Sequence, residues 1–140
     1  MANITNMFGM FSGAHSFNGD ISKWDVSSVM DMFGMFGDAK VFNSDISKWD
    51  VSSVADMGYL FSGAKSFDGD ISKWDVSKVT DTSLMFSNTE AFNRDISKWN
   101  VARVTEMLRM FWGAKAFTQK LCGPAWVNSK ASKIEMFERS

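Results

Sequence analysis

Apolar residues in this chain recur at a fixed step. Ile21, Ile46, Ile71 and Ile96 stand 25 residues apart, as do Trp24, Trp49, Trp74 and Trp99. Phe11, Phe36, Phe61, Phe86 and Phe111 keep the same interval, and so do Phe17, Phe42, Phe67, Phe92 and Phe117. Superimposed, the segments read F-N-x-D-I-S-K-W-D-V-S-x-V-x-D-M-x-x-M-F-x-x-A-x-x, with a degenerate fifth copy from Leu121. A period of this length belongs to arrays in which each unit buries its apolar face only against its neighbours.

Within one unit the apolar spacing changes. Ile21, Trp24 and Val26 form an apolar-x-x-apolar-x-apolar string, the strand signature of leucine-rich repeats. The alternation Trp24–Asp25–Val26 has the period of two that a strand needs. Val29, Met32, Met35, Phe36 and Ala39 recur at threes and fours, which is helical spacing. Ser28 and Asp31 stand where a helix start takes a capping oxygen and a negative charge, and Gly13, Gly37 or Gly63 then interrupts. The pattern predicts an α/β fold: a leucine-rich-repeat-like solenoid of about five 25-residue strand-turn-helix units with a C-terminal cap.

Residues 4–17 align with 29–42, and Met1 and Ala2 fall where Val26 and Ser27 recur. The chain is therefore expected to enter the array in mid-repeat, as a fragment of a longer chain or with its end covered. No signal peptide is expected, because the apolar residues there belong to the repeat register. Further on, Lys120 replaces the repeated Asp, Pro124 takes the Trp position, and Trp126-Val127 arrive two residues late. Residues 1–127 are read as the repeat solenoid and 128–140 as a capping helix.

Charge and composition narrow the function. Fifteen basic residues against sixteen acidic ones leave a net charge of −1, which argues against a general nucleic-acid binder. A single cysteine, Cys122, and a single histidine, His15, provide no disulfide framework, Cys-based zinc cage or His cluster, so no metal or cofactor is expected. No apolar run approaches the ~20 residues of a membrane span. No Ser/His/Asp or Cys/His set converges, and no phosphate-binding Gly loop is present, so the chain is read as a non-enzyme.

The string FNGDISKWDVSSV…DMxxMFxGA resembles the bacterial surface-protein repeat of 26 residues, a lipoprotein-associated family related to BspA-like leucine-rich repeats. Similar arrays occur in unicellular marine algae, and the LCGPAWVNSKASK ending resembles the closing segment of those versions. The resemblance implies a leucine-rich-repeat-like solenoid with interaction or adhesion roles, a cell-surface or secreted setting, and no shared catalytic residues.

Candidate contact residues lie where the repeats disagree or where polar columns recur. Phe8, Phe33, Tyr59, Leu84, Leu108 and Trp112 occupy variable positions that helical spacing directs away from the core, which would make them an apolar stripe for a protein partner. Lys23, Asp25, Lys48, Asp50, Lys73, Asp75, Lys98 and Asn100 form a charge ladder on the expected strand face, either a polar docking face or a self-neutralised surface. Asp20, Asp45, Asp70 and Asp95 recur one per unit, as turn formers rather than calcium ligands. The Trp and Phe columns are read as core. Together these point to a non-enzymatic protein–protein interaction module, or an accessory subunit on a larger assembly, with peripheral contact to a membrane complex and end-to-end self-association both open to it. The alternative is a cell-surface adhesin or carbohydrate-binding repeat protein that uses the strand face.

Overall fold

A computed structural model of the chain describes residues 3–140; Met1 and Ala2, with the register assigned to them, lie outside the described residues. Each 25-residue unit is one coil of chain hydrogen-bonded to the next. A turn segment (4–17, 29–42, 54–67, 79–92, 104–117) alternates with a Trp segment (18–28, 43–53, 68–78, 93–103).

In the turn segment, successive backbone N–H groups go two ways. Met32, Gly34, Phe36 and Asp38 donate across to the carbonyls of Asp56, Gly58, Leu60 and Ser62 at 2.7–3.0 Å. Met35, Gly37 and Ala39 donate back to Met32, Gly34 and Phe36, closing consecutive turns. Asn6, Asp31, Asp56, Asp81, Glu106 and Ser132 form a column of isolated parallel bridges, one residue per coil.

The expected α/β leucine-rich-repeat solenoid is therefore corrected. Among the described residues there is no sheet, and the one helix is the four-residue α1 (Pro124–Val127). The helix is excluded by backbone handedness. Gly34 and Asp38 have φ of +60° and +54°, and the same two places are left-handed in the neighbouring coils, at Gly9 and Gly13, Tyr59 and Gly63, Leu84 and Asn88, Arg109 and Gly113. A right-handed helix cannot pass through such residues. Tandem turns closed over three residues space their apolar side chains by threes and fours, which imitates helical periodicity.

The strand fails for a local reason. Asp20 and Asp25 accept the N–H groups of Ser22 and Ser27 at 3.0 Å each. Trp24 and Val29 N–H bond back to the Ile21 and Val26 carbonyls. Side-chain caps of this kind take the place of a ladder, and the two turns still bring Ile21, Val26 and Val29 into the core.

The capping helix expected over 128–140 is also absent. Met107, Arg109, Phe111 and Gly113 donate to Ser132, Ile134, Met136 and Glu138, so this segment continues the turn ladder. Just before it, α1 begins at Pro124, the helix position that dispenses with an N–H. It carries the late Trp126 into the tryptophan column, where its Nε1–H donates to the Ile96 carbonyl at 3.0 Å.

The core is built from columns. Trp49, Trp74 and Trp99 are buried and donate Nε1–H to the carbonyls of Ile21, Ile46 and Ile71 in the preceding coil at 3.1–3.2 Å. Two phenylalanine columns run alongside, with rings stacked 3.9 Å apart within a coil (Phe36 on Phe42, Phe61 on Phe67) and 5.7–5.9 Å between coils (Phe36 on Phe61, Phe42 on Phe67). Asn18, Asn43, Asp68 and Asn93 lend a side-chain oxygen to the backbone N–H one coil on, at 2.8–3.0 Å. These residues join coils instead of shaping their own turns.

Candidate docking surface

Phe8, Phe33, Tyr59, Leu84 and Leu108 sit in the first tight turn of their turn segments, whereas Trp112 closes the following turn on the Arg109 carbonyl. Leu60 N–H closes one such turn on the Met57 carbonyl, and Tyr59, its third residue, has φ +56°. That is the place a type II turn reserves for glycine. Gly9 and Gly34 obey the rule; Tyr59, Leu84 and Arg109 break it. Each non-glycine residue there costs roughly 1–2 kcal/mol in backbone strain.

Side chains exchange between the two positions along the stack. Phe8 and Phe33 precede glycines, whereas Tyr59 follows one. Phe33 needs Gly58 in the next coil, because a Cβ there would meet the ring at 3.0 Å. The result is a short aromatic stack outside the core. Phe8 and Phe33 stack at 5.2 Å with planes 8° apart, and Phe33 meets Tyr59 at 5.0 Å and 46°. Phe8 is 62% exposed and Tyr59 39%.

The other residues of the expected stripe are placed differently. Leu84 and Leu108 are half-buried. Trp112 lies under the Arg139 guanidinium, 5.2 Å from its ring centroid. Arg109 pairs with Glu135, which is its largest pKa-raising partner.

Beside the stack runs the acidic part of the bridge column, which the sequence reading treated only as a helix start at Asp31. Asp31, Asp56 and Asp81 each accept the N–H two residues on, from Phe33, Gly58 and Ser83, at 2.7–2.9 Å. Burial pushes the Asp56 carboxyl up; the Gly58 N–H opposes that shift, and the neighbouring Asp81 and Asp31 charges add to it. The signal in the sequence was the acidic residue preceding Met in the repeat, at Asp31, Asp56, Asp81 and Glu106.

The charge ladder does not lie on a strand. Lys23, Lys48, Lys73 and Lys98 are exposed. Asp25 and Asp50 accept both the N–H and the hydroxyl of Ser27 and Ser52, Asp75 accepts the Ser77 N–H, and Asn100 accepts the Ala102 N–H. Asp20, Asp45, Asp70 and Asp95 cap Ser22, Ser47, Ser72 and Ser97 in the same way. Each of these carboxylates therefore holds a local turn. The serine hydroxyl, then its N–H, lowers the pKa of every aspartate in the two rows.

A hollow of about 560 Å³ lies between α1 and the adjoining coil and is lined by Val104, Thr105, Pro124, Asn128 and Lys130. His15 Nδ1 is 2.9 Å from the Asp38 carbonyl, and Cys122 is exposed. Among the described residues no group of three or more His, Cys, Asp or Glu is placed to hold a metal ion. No helix among them is long and apolar enough to cross a membrane.

A scaffold of like coils with an irregular aromatic edge defines a repeat protein. The model of the family described as "Mycoplasma protein of unknown function, DUF285" matches residues 1–73 and 46–140. The chain belongs to that family. No curated protein and no solved structure matches it.

Proposed function

We propose that this chain is a non-enzymatic protein–protein interaction module, an accessory subunit that docks on a larger assembly through Phe8, Phe33, Tyr59, Leu84, Leu108 and Trp112. The observation that carries the reading is the aromatic stack, exposed at Phe8 and Tyr59 and half-buried at Phe33, at the turn positions where the repeats differ. Three of those turns keep a side chain, at Tyr59, Leu84 and Arg109, in a left-handed place where glycine would relieve the strain. Aromatic residues also anchor the centres of protein interfaces.

The adhesin reading, which follows from the resemblance to lipoprotein-associated surface repeats, has less support from these rings. A sugar stacks on an aromatic face, but Phe8 and Phe33 turn their faces to each other. The aspartates of the Lys/Asp ladder are also engaged in their own turns.

The test is co-purification from the native source with wild-type chain, a Phe33→Ser/Tyr59→Ser/Trp112→Ser variant and a Lys48→Ser/Lys73→Ser variant. Loss of a stoichiometric partner in the first variant, with little change in melting temperature, supports docking through the stripe. Loss in the lysine variant alone assigns the contact to the ladder. Unfolding of the triple variant makes the stripe part of the core.

A further inference from the structure

We infer that the stripe takes an amphipathic helix with a basic flank, laid along the stacking axis of the coils. This inference rests on the docking reading above and names the chemistry of the partner.

Two independent features select that occupant. The first is charge. The apolar edge and the acidic column abut: a Cβ placed on Gly58 would meet the Phe33 ring at 3.0 Å and the Asp56 carboxylate at 3.2 Å. Met30, which precedes Asp31 in the chain, is 55% exposed. The described ion pairs use Lys65 and Lys115 with Glu90, Arg94 with Asp68, and Arg109 with Glu135. None of them reaches Asp31, Asp56, Asp81 or Glu106, so among the described residues no ion pair neutralises this column; Asp31 accepts only neutral donors, the Asn6 side-chain amide and the Phe33 N–H. Cations on a partner complement it, and an anionic surface is repelled.

The second feature is spacing. Side-chain rows here repeat once per coil, and the half-buried Phe33 ring stands 5.2 Å from exposed Phe8 and 5.0 Å from exposed Tyr59. An α-helix advances about 5.4 Å per turn, so a helix lying along the axis presents one apolar residue to each of the three rings Phe8, Phe33 and Tyr59 with little drift. Same-face residues of an extended strand are about 6.6–6.8 Å apart and fall out of step after two coils. Apolar anchors three and four residues apart reach the ring row, and Lys or Arg one position to the side reaches the carboxylates.

The probe is a fluorescein-labelled helical peptide of about 18 residues, or five turns, with a Leu/Ala face flanked by lysines. Its controls carry glutamate for lysine, or the same composition scrambled so that no apolar face forms. Fluorescence anisotropy at low ionic strength is expected to show saturable binding of the lysine peptide, none of the glutamate peptide, and at least about tenfold weaker binding of the scrambled one. Asp31→Asn/Asp56→Asn should weaken binding about fivefold, two exposed ion pairs' worth, and flatten its salt dependence. That variant keeps its turns, because Asn6 already accepts the Phe8 N–H at 2.8 Å in the same column. Phe33→Ser/Tyr59→Ser should weaken binding more than tenfold.

Equal binding of the glutamate or scrambled peptide overturns the inference, as does indifference to the aspartate changes. If neither ordered peptide binds while the stripe variant still loses its native partner, the helix chemistry is wrong and docking through the stripe stands. If the stripe variant keeps its partner, both fall.

Discussion

Trp74→Ala should destabilise the protein far more than Trp24→Ala. Trp74 is 5% exposed, packs on Phe61 at 6.3 Å, and donates Nε1–H to the Ile46 carbonyl at 3.2 Å. Truncating a buried aromatic side chain to alanine costs about 3–5 kcal/mol, and losing the indole hydrogen bond adds about 1 kcal/mol. The sum, about 4–6 kcal/mol, is comparable to the whole stability of an ordinary domain, about 5–15 kcal/mol. Trp24 is 40% exposed and packs on Phe11 at 5.7 Å, without the coil contact on its outer side that Trp74 has. Scaling the aromatic loss by burial leaves about 2 kcal/mol for its truncation. For a chain of this size the melting temperature moves about 2–4 °C per kcal/mol. Trp74→Ala should therefore lose about 10–20 °C or fail to fold, and Trp24→Ala about 4–8 °C. Urea titration followed by the fluorescence of the remaining tryptophans, with thermal scanning as a second probe, measures both. Equal losses would refute the column argument, because they would show that the indole contributes nothing through the coil before it.

Two further outcomes follow from the turns. Gly63→Ala should destabilise by more than about 2 kcal/mol by thermal unfolding, since φ is +72° and a Cβ there would lie 2.2 Å from the Asp38 carboxylate; a neutral result would mean that this turn is not left-handed. Stability should fall as pH drops through the aspartate range. Seven turn-capping aspartates, Asp20, Asp25, Asp45, Asp50, Asp70, Asp75 and Asp95, are held below the ordinary value of 3.8 by their serines. A depressed carboxyl stabilises the fold above its unfolded value, and that contribution is lost as pH falls through the folded one. Asp56, raised by burial, works the other way and loses its penalty on protonation. With Glu90, also lowered by Lys65 and Lys115, eight groups against one set the direction, and a melting temperature that rose between pH 4 and pH 2 would contradict it.

The 25-residue period and the identity of the core were legible without coordinates, because an identical spacing of Ile, Trp, Val and Phe has no cheaper explanation than stacked burial. The aspartate column at Asp20 was also legible as a set of turns, since Asp-x-Ser carries its own hydrogen bond. Local chemistry of this sort does not wait for the rest of the chain. Aromatic residues at the variable positions were visible too; the contacts of a half-buried Phe33 with Phe8 and with Tyr59 were not, because they join different coils.

What the sequence could not decide was where each backbone group goes. Apolar residues at threes and fours are compatible with a helix and with tandem turns alike. The choice falls to left-handed residues such as Tyr59 and Leu84, whose conformation is imposed by hydrogen bonds to a coil 24 residues away. The same long-range pairing carries 132–138 into the turn ladder instead of a helix, and sets the Asp31–Asp56–Asp81 carboxylates beside the aromatic edge. Side-chain periodicity reports which residues are hidden, whereas the path of the main chain between them is a collective property of neighbouring coils and exists only once they have stacked.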